Sequence, residues 1–167
     1  MFVGTGGSAL IGSSGFDLPT ANTISGNGFL DPVKGGIFAF LGGAIDVRNA
    51  TITGNDGAGV QAFENGFITL RNSTVKLSAT HGVTAFLRST VRLRDGSAIR
   101  NNPGDGVRIG AGSAVDFRSG VVTTVTESGG FGLECFGDEA SFSGNTSGIA
   151  SAPSNASGAI SPGCTGF

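Results

Sequence analysis

The chain has 167 residues, a length that suits one domain with its own core, and its 10 Lys and Arg against 12 Asp and Glu give a net charge of −2. This balance gives no global basis for binding nucleic acid, and no apolar run approaches the ~18 residues that would predict membrane insertion. The 31 glycines, with phenylalanine as the only aromatic residue type, indicate many tight turns around a modest apolar interior.

Residues 1–35 are interpreted as an irregular N-terminal coil followed by a loop. They begin MFVGTGGSALIG, which lacks the basic and long apolar regions of a signal peptide. Two short strings in this segment match later ones: GFDL at 15–18 matches AIDV at 44–47, and TISGN at 23–27 matches TITGN at 51–55. These matches predict one irregular coil ahead of the regular ones. The stretch 25–35 is predicted to protrude as a loop, because Pro32 cannot donate to a strand ladder.

A glycine-led unit repeats between residues 36 and 143. It is most regular in GIFAFLGGAIDVR at 36–48, GVQAFENGFITLR at 59–71 and GVTAFLRSTVRLR at 82–94. The leading glycines, separated by 23, 23, 24 and 26 residues, are Gly36, Gly59, Gly82, Gly106 and Gly132. A fixed period in this range is typical of a solenoid, in which each repeat forms one coil. No segment shows a sustained i, i+3, i+4 apolar pattern, so helical repeats are excluded.

Within each unit the apolar residues alternate with a period of two, which predicts strands. The inward positions of the first strand are Ile37, Val60, Val83, Val107 and Leu133, then Ala39, Ala62, Ala85, Ile109 and Cys135. Those of the second strand are Ile45, Ile68, Val91, Val115 and Ala140, then Val47, Leu70, Leu93, Phe117 and Phe142. A third, weaker strand carries Ile52, Val75, Ile99 and Val122.

The strings RNATI at 48–52 and RNSTV at 71–75, together with the glycine-led first strand, carry a family resemblance over residues 36–143. The chain resembles the right-handed parallel β-helix family, the pectate-lyase-like solenoids. The resemblance implies the right-handed winding. We therefore expect an all-β fold, a single-stranded right-handed parallel β-helix of about six coils with three short strands per coil. Residues 1–167 form one domain in this interpretation, and 144–167, rich in Gly, Ser, Ala and Pro, form a C-terminal cap.

The outward positions of the first strand carry an aromatic row. Phe40, Phe63 and Phe86 align in successive coils about 4.8 Å apart, with Phe38 beside Phe40 and Phe136 further along. Solubility alone does not favour such a row on a solvent face. Stacked rings offer apolar area to the C–H face of a sugar or to a partner protein, and cover by the N-terminal segment or the tail explains them equally well. We treat the row as a candidate ligand-binding or interface surface.

A basic column is predicted at the end of the second strand. It consists of Arg48, Arg71, Arg94 and Arg118, with Arg92 alongside. Such a column attracts an anionic polymer, but Asp46, Asp95 and Asp116 are near enough in sequence to neutralise it, so we expect an ion-paired ladder. At the next turn Asn49 and Asn72, continued by Asp95, are expected to stack and bond between coils.

No catalytic site can be transferred from the family that the chain resembles. Its lyases bind calcium through clustered carboxylates and use a basic residue as base, and its galacturonases carry Asn-Thr-Asp, Asp-Asp and Gly-His-Gly strings. This chain lacks the first two strings, and its one histidine stands in Thr80-His81-Gly82. His81 and Asp105 each precede a coil-starting glycine, so they are predicted neighbours one coil apart, either for acid–base work or as stacked polar turn residues. No metal site and no cofactor are expected, since zinc and calcium patterns are absent.

Cys135 and Cys164 are interpreted through the repeat. Cys135 takes an inward position of the last regular coil, and Cys164 lies in the segment that should cover it. A disulfide between them would fasten this cap and favour an exported or cell-surface protein, whereas two buried thiols would suit a reducing compartment.

We expect a non-catalytic β-solenoid that acts as a binding or structural module, with polysaccharide as the ligand class. The repeat pattern also suits a chain that is part of a larger β-helical protein or that forms a homo-oligomer. One alternative is a polysaccharide lyase or glycoside hydrolase, which would need His81, Asp105 and a basic residue to converge in a groove. The other is a self-assembly module, which would bury the phenylalanine row between two chains.

Overall fold

The computed structural model describes residues 1–12, 22–28, 35–118 and 120–166, and in these ranges every regular element is a short β-strand. In chain order the strands are β1 (Phe2–Val3), β2 (Ser8–Ile11), β3 (Asn22–Ser25), β4 (Ile37–Phe40), β5 (Ala44–Arg48), β6 (Ala50–Thr53), β7 (Val60–Phe63), β8 (Phe67–Arg71), β9 (Thr74–Lys76), β10 (Val83–Phe86), β11 (Thr90–Arg94), β12 (Ala98–Asn102), β13 (Val107–Gly110), β14 (Ala114–Phe117), β15 (Thr124–Ser128), β16 (Phe131–Phe136), β17 (Ser141–Gly144), β18 (Gly158–Ile160) and β19 (Thr165–Gly166).

These strands form three parallel sheets that run along the molecule. The first sheet has the order β1-β4-β7-β10-β13-β16-β18, the second β19-β17-β14-β11-β8-β5-β2, and the third β15-β12-β9-β6-β3. From β1 to β14 each strand pairs with the strand three further along the chain, so the backbone winds around one core and completes a coil every three strands. The predicted all-β parallel solenoid of about six coils, with three strands per coil, is confirmed.

The core is built from columns of identical or similar side chains. In the first sheet Ile37, Val60, Val83, Val107 and Leu133 pair in register and are all fully buried. The second sheet contributes Ile45, Ile68, Val91 and Val115, and the third contributes Ile52, Val75 and Ile99. The predicted inward faces of these strands are therefore confirmed, and burial of this apolar area supplies the main driving force for folding.

The corner between the first and second sheets is a pair of left-handed residues that recurs from coil to coil. The pairs are Leu41-Gly42, Glu64-Asn65, Leu87-Arg88 and Ala111-Gly112, with φ between 47° and 76°. Left-handed backbone is costly for residues with a side chain. Hydrogen bonds between coils offset this cost, since the second residue of one pair donates to the carbonyl of the next, as Arg88 does to Ala111 over 3.0 Å.

Asparagine ladders hold the other corners together. The predicted bond between Asn49 and Asn72 is confirmed, since Asn72 Nδ2 donates to Asn49 Oδ1 over 2.8 Å. A second, buried ladder was not predicted: Asn55 Oδ1 accepts from Asn27 Nδ2 over 3.0 Å, and Asn55 itself is 1% exposed. Further along, Asn102 accepts from the backbone N–H of Ser78, and Asn155 accepts from that of Ser128. These side chains satisfy backbone groups that water cannot reach.

The first coil differs from the prediction at its second strand. Residues 15–18 were expected to match 44–47, but β2 (Ser8–Ile11) takes this place, with Ala9 opposite Ile45. Residues 15–18, and most of the predicted loop at 25–35, lie outside the described residues. The match between 23–27 and 51–55 is confirmed, because Ile24 pairs with Ile52 in the third sheet.

Two alignments near the end of the repeat were wrong. The inward residue of β15 is Val125, which pairs with Ile99, whereas Val122 is 38% exposed in a longer connection that precedes the strand. In β17, Phe142 lies opposite Val115 and not opposite Phe117. The corner from Phe136 to Ser141 is one residue longer than the corner from Gly110 to Ala114, which moves the register.

The C-terminal segment continues the winding path. Ile149 bridges to Val125, β18 pairs with β16, and β19 pairs with β17. Cys135 and Cys164 are joined by a disulfide with a Cα–Cα distance of 4.9 Å, and both pack against the core. The segment expected to be a cap thus follows the three-sided path of the coils and is covalently fixed to the last long strand.

Candidate functional site

The outer face of the first sheet presents the predicted phenylalanine ladder. Phe40 pairs with Phe63, and Phe63 with Phe86, so one ring stands in each of three successive coils. The rings of Phe40 and Phe63 are stacked, with centroids 6.0 Å apart. All three side chains are half-buried, so an edge or face of each ring remains open to solvent.

Phe38 does not belong to the exposed part of the ladder, contrary to expectation. It is only 5% exposed, because Phe2 on the neighbouring strand lies 5.5 Å from it and Phe40 stacks beside it at 5.7 Å. The short strand β1 thus covers Phe38 with an aromatic residue that is itself 57% exposed. The available ladder begins at Phe40.

The ladder is interrupted once. Gly110 takes the ladder position of the fifth coil, and Phe136 takes it in the sixth. Next to this position, a shallow notch of about 530 Å³ opens over Ala111 and Gly112 between Phe86 and Phe136. Phe136 is 59% exposed, which makes it the most exposed phenylalanine of the described residues. The predicted aromatic residues are therefore brought to one face, but their spacing is uneven.

An ionic cluster lies beside the notch on the same face. His81 Nδ1 lies 3.2 Å from Asp105 Oδ2 and accepts a hydrogen bond of 2.9 Å from the Asp105 backbone N–H. The predicted neighbours are thus in contact across one coil. Asp105 is 7% exposed, and its Oδ1 accepts from the backbone N–H of Phe131 over 2.8 Å.

Two further residues complete this cluster. Arg108 Nε lies 2.7 Å from Glu134 Oε2, and its Nη1 lies 3.3 Å from His81 Nε2. The same guanidinium lies over the ring of Phe136, 4.8 Å from its centroid. Arg108 therefore connects the ionic cluster to the exposed ring that walls the notch.

The pKa values of the two carboxyl groups in the cluster are shifted in opposite directions. Burial raises the pKa of Glu134, and hydrogen bonding to Asp105 and the charge of Asp105 raise it further. Burial also acts to raise the pKa of Asp105, but its interactions with His81 and Glu134 and the hydrogen bond from the Phe131 backbone outweigh it and hold this pKa below its ordinary value. Glu134 is thus the weaker acid of the pair and Asp105 the stronger.

The cluster could exchange protons with a ligand, although its polar groups already bind one another. A carboxyl group with a raised pKa beside a histidine is an arrangement that general acid–base chemistry can use.

Within the described ranges no group of three or more His, Cys, Asp or Glu is placed to hold a metal ion. No helix in the described part of the chain is long and apolar enough to cross a membrane.

The basic column lies on a different face, the outer side of the second sheet. Arg48 and Arg71 both pair with Asp46, at 2.6 and 3.2 Å. Arg118 and Arg92 both pair with Asp116, at 2.6 and 3.5 Å. Arg94 continues the column in register with Arg71, and Asp95 follows it at a left-handed turn. Two aspartates therefore neutralise much of the column, in line with the expected ion-paired ladder.

Arg108 and Glu134 were not singled out from the sequence as site residues. Both stand at the outward position of the first strand, where the earlier coils carry Phe38, Gln61 and Thr84. The change from neutral to charged residues at one repeat position is the signal that could have found them. Asp138 and Glu139, which also line the notch, follow Phe136 and Gly137 at the longer last corner.

Comparison with known proteins gives one match. The model of the right-handed β-helix region matches residues 4–95, which is 92 of the 167 residues. No curated protein and no solved structure matches the chain. The matched segment includes Phe40, Phe63 and Phe86, and it ends before the other residues that line the notch.

Proposed function

The chain belongs to the right-handed β-helix family, and from this premise we propose that it is a non-catalytic module that binds carbohydrate through the first-sheet face. The observation that carries this proposal is the ladder of Phe40, Phe63, Phe86 and Phe136, whose rings are half-buried or exposed on one flat side of the molecule. A polysaccharide is an extended chain of repeating apolar ring faces. Phe40, Phe63 and Phe86, which stand in successive coils, offer a row of apolar ring faces complementary to such a chain.

A glycan array combined with light scattering tests this function. The wild-type protein and the Phe63→Ser variant are compared, because Phe63 is central in the ladder and its removal leaves the backbone hydrogen bonds intact. The proposal predicts that the wild type retains oligosaccharides at a constant monomer mass and that Phe63→Ser weakens this retention. Retention of no glycan by the wild type would contradict the proposal.

Self-association is a second candidate, and the same light-scattering experiment addresses it. It is supported by Leu41 and Leu87, which are 46% and 41% exposed at the corner beside the ladder. It is also supported by the N-terminal end, where the inward residues Val3, Ile11 and Ile24 stay partly exposed. A dimer mass that falls to a monomer in Phe63→Ser, with no glycan bound, would favour this candidate.

Glycan cleavage is a third candidate, supported by the convergence of His81, Asp105 and Arg108 beside the notch. It predicts release of reducing ends or unsaturated products from a polysaccharide, and loss of this release in His81→Gln.

Export to an oxidising compartment is part of our proposal as well, because the Cys135–Cys164 disulfide persists under such conditions.

A further inference from the structure

The notch in the phenylalanine ladder has a floor, two walls and a rim of distinct chemistry. Ala111 and Gly112 form the floor, at the corner position that Leu87 and Arg88 fill one coil earlier. Phe86 and Phe136 form the walls, with the rim at Asp138 and Glu139. The fifth coil is therefore the place where a ligand can approach the backbone between two rings.

Contacts with neighbouring residues hold both wall rings, Phe86 and Phe136, in position. A Cβ on Gly110 would stand 3.0 Å from Cε1 of Phe86 and would collide with the carbonyl oxygen of Phe136, so only glycine lets the Phe86 ring lie over this strand. The Phe136 ring is fixed by the Arg108 guanidinium, which Glu134 and His81 hold in turn. Binding to rings that are already ordered costs less conformational entropy than binding to mobile rings.

The rim determines which ligands fit. Glu139 Oε2 lies 3.4 Å from the position that a Cβ of Gly112 would take, so the carboxylate stands over the floor of the notch. Asp138 also lines the notch, so two acidic residues offer acceptors for hydroxyl groups there and disfavour carboxylate-bearing sugars. A second groove of about 380 Å³, lined partly by Glu64 and Arg88, shares Ala111, Gly112 and Glu139 with the notch and extends it along the corner.

We propose that this notch is the primary subsite of the carbohydrate-binding face and takes one neutral pyranose ring, stacked on Phe136 with its hydroxyls bonded to Glu139 and Asp138. The inference rests on the proposed function, because it assigns the position and the sugar class within the same face. It also predicts that neutral glycans bind in preference to uronate polymers.

The test fills the notch without disturbing the corner. Ala111 has a φ of 50°, and Leu41 and Leu87 occupy the equivalent corner position with φ of 50° and 56°, so leucine can adopt the backbone conformation of this corner. The matched control is Thr5→Leu, at the equivalent corner of the first coil with a φ of 52°. Calorimetric titrations use cellohexaose, mannohexaose and chitohexaose as neutral probes and hexagalacturonate as the uronate probe.

The wild type should bind at least one neutral hexasaccharide more tightly than hexagalacturonate. Ala111→Leu should lower the association constant for that probe about fivefold to tenfold, the loss expected for one ring contact, and Thr5→Leu should leave it unchanged. If Ala111→Leu does not fold, Phe136→Ser tests the same contact, since this side chain is 59% exposed.

The failures of the two proposals are distinguishable. Neutral binding that Ala111→Leu or Phe136→Ser leaves unchanged would overturn the notch while the carbohydrate-binding function stands. Tighter binding of hexagalacturonate would overturn the assigned sugar class. Binding of none of the four probes to the wild type would overturn both the notch and the proposed function.

Discussion

Glu134 and Arg108 are joined by an ion pair of 2.7 Å on the outer face of the first sheet, yet the pKa of Glu134 is raised. Burial and the neighbouring Asp105 outweigh the attraction of the guanidinium. The folded chain therefore binds the Glu134 proton more tightly than the unfolded chain does. This relationship leads directly to a pH dependence of stability.

The first prediction concerns the difference in unfolding free energy between the wild type and Glu134→Gln. As pH rises above the ordinary Glu value of 4.5, the wild type loses stability because it must release a tightly held proton, and the variant does not. The stability of the wild type relative to the variant should therefore fall as pH rises from 4.5 and then level off. Denaturant titrations at a series of pH values measure it, and a difference that is constant or grows with pH would contradict it.

The opposite sign applies to Asp105. Its pKa lies below the ordinary value of 3.8, so its ionised form stabilises the fold, and this contribution is lost as pH falls from 3.8 through the lowered pKa. Asp105→Asn should therefore be less stable than the wild type near neutral pH and should approach it in strong acid. An equal deficit at every pH would show that the carboxylate charge is not the cause.

The disulfide between Cys135 and Cys164 should be present in protein purified without reductant. Thiol titration after denaturation should then find no free thiol. Replacement of both cysteines by serine should cost about 3–4 kcal/mol, the loop-closure value for a sequence separation of 29 residues. Detection of two free thiols per chain would show that the disulfide is absent and would remove the support for export.

The buried asparagine ladder should contribute measurably to stability. Asn55→Ala would leave the backbone N–H of Asn27 and the carbonyl of Ile24 without their partner, at a cost of about 1–3 kcal/mol. Thr23→Ala, an exposed change on the adjoining strand, serves as the control and should cost less than about 0.5 kcal/mol. Equal effects of the two changes would mean that the ladder carries no special stability.

The ladder rings should matter less for folding than the core columns beneath them. Phe63→Ser should cost less than Ile68→Ala, because the Phe63 ring is only partly buried, whereas Ile68 is in the fully buried column and its truncation should cost about 2–5 kcal/mol. Thermal or denaturant unfolding measures both. A loss of about 3–5 kcal/mol for Phe63→Ser would assign this ring to the core.

The fold was predictable because stacking repeats the same environment every coil. A column such as Val60–Val83–Val107 needs the same kind of residue at each step, so the period and the inward face are visible in the sequence. Errors arose where one coil changed length. The longer connection before β15 placed Val125 rather than Val122 inward, and no local property of the two valines distinguishes them.

The candidate site was only partly predictable for a different reason. Register places His81 beside Asp105, but the contacts of Arg108 with Glu134 and Phe136 depend on side-chain conformations that a repeat pattern does not specify. Phe38 was assigned to the exposed ladder because the pairing of Phe2 with it was not recognised. Gly110 leaves room for the ring of Phe86 at one side of the notch, and the repeat pattern alone does not show where this ring lies.

NMR mapping of backbone amide shifts tests directly whether the first-sheet face of this β-solenoid binds neutral carbohydrate. The wild-type protein is titrated with the neutral hexasaccharide that it binds best. Binding at the notch and along the ladder predicts saturable shifts centred on Ala111, Gly112 and Phe136 and extending to Phe63. The amide shifts of the arginine column, at Arg48 and Arg71, should change little. Shifts confined to the arginine column, or no saturable shifts with any neutral probe, would contradict it.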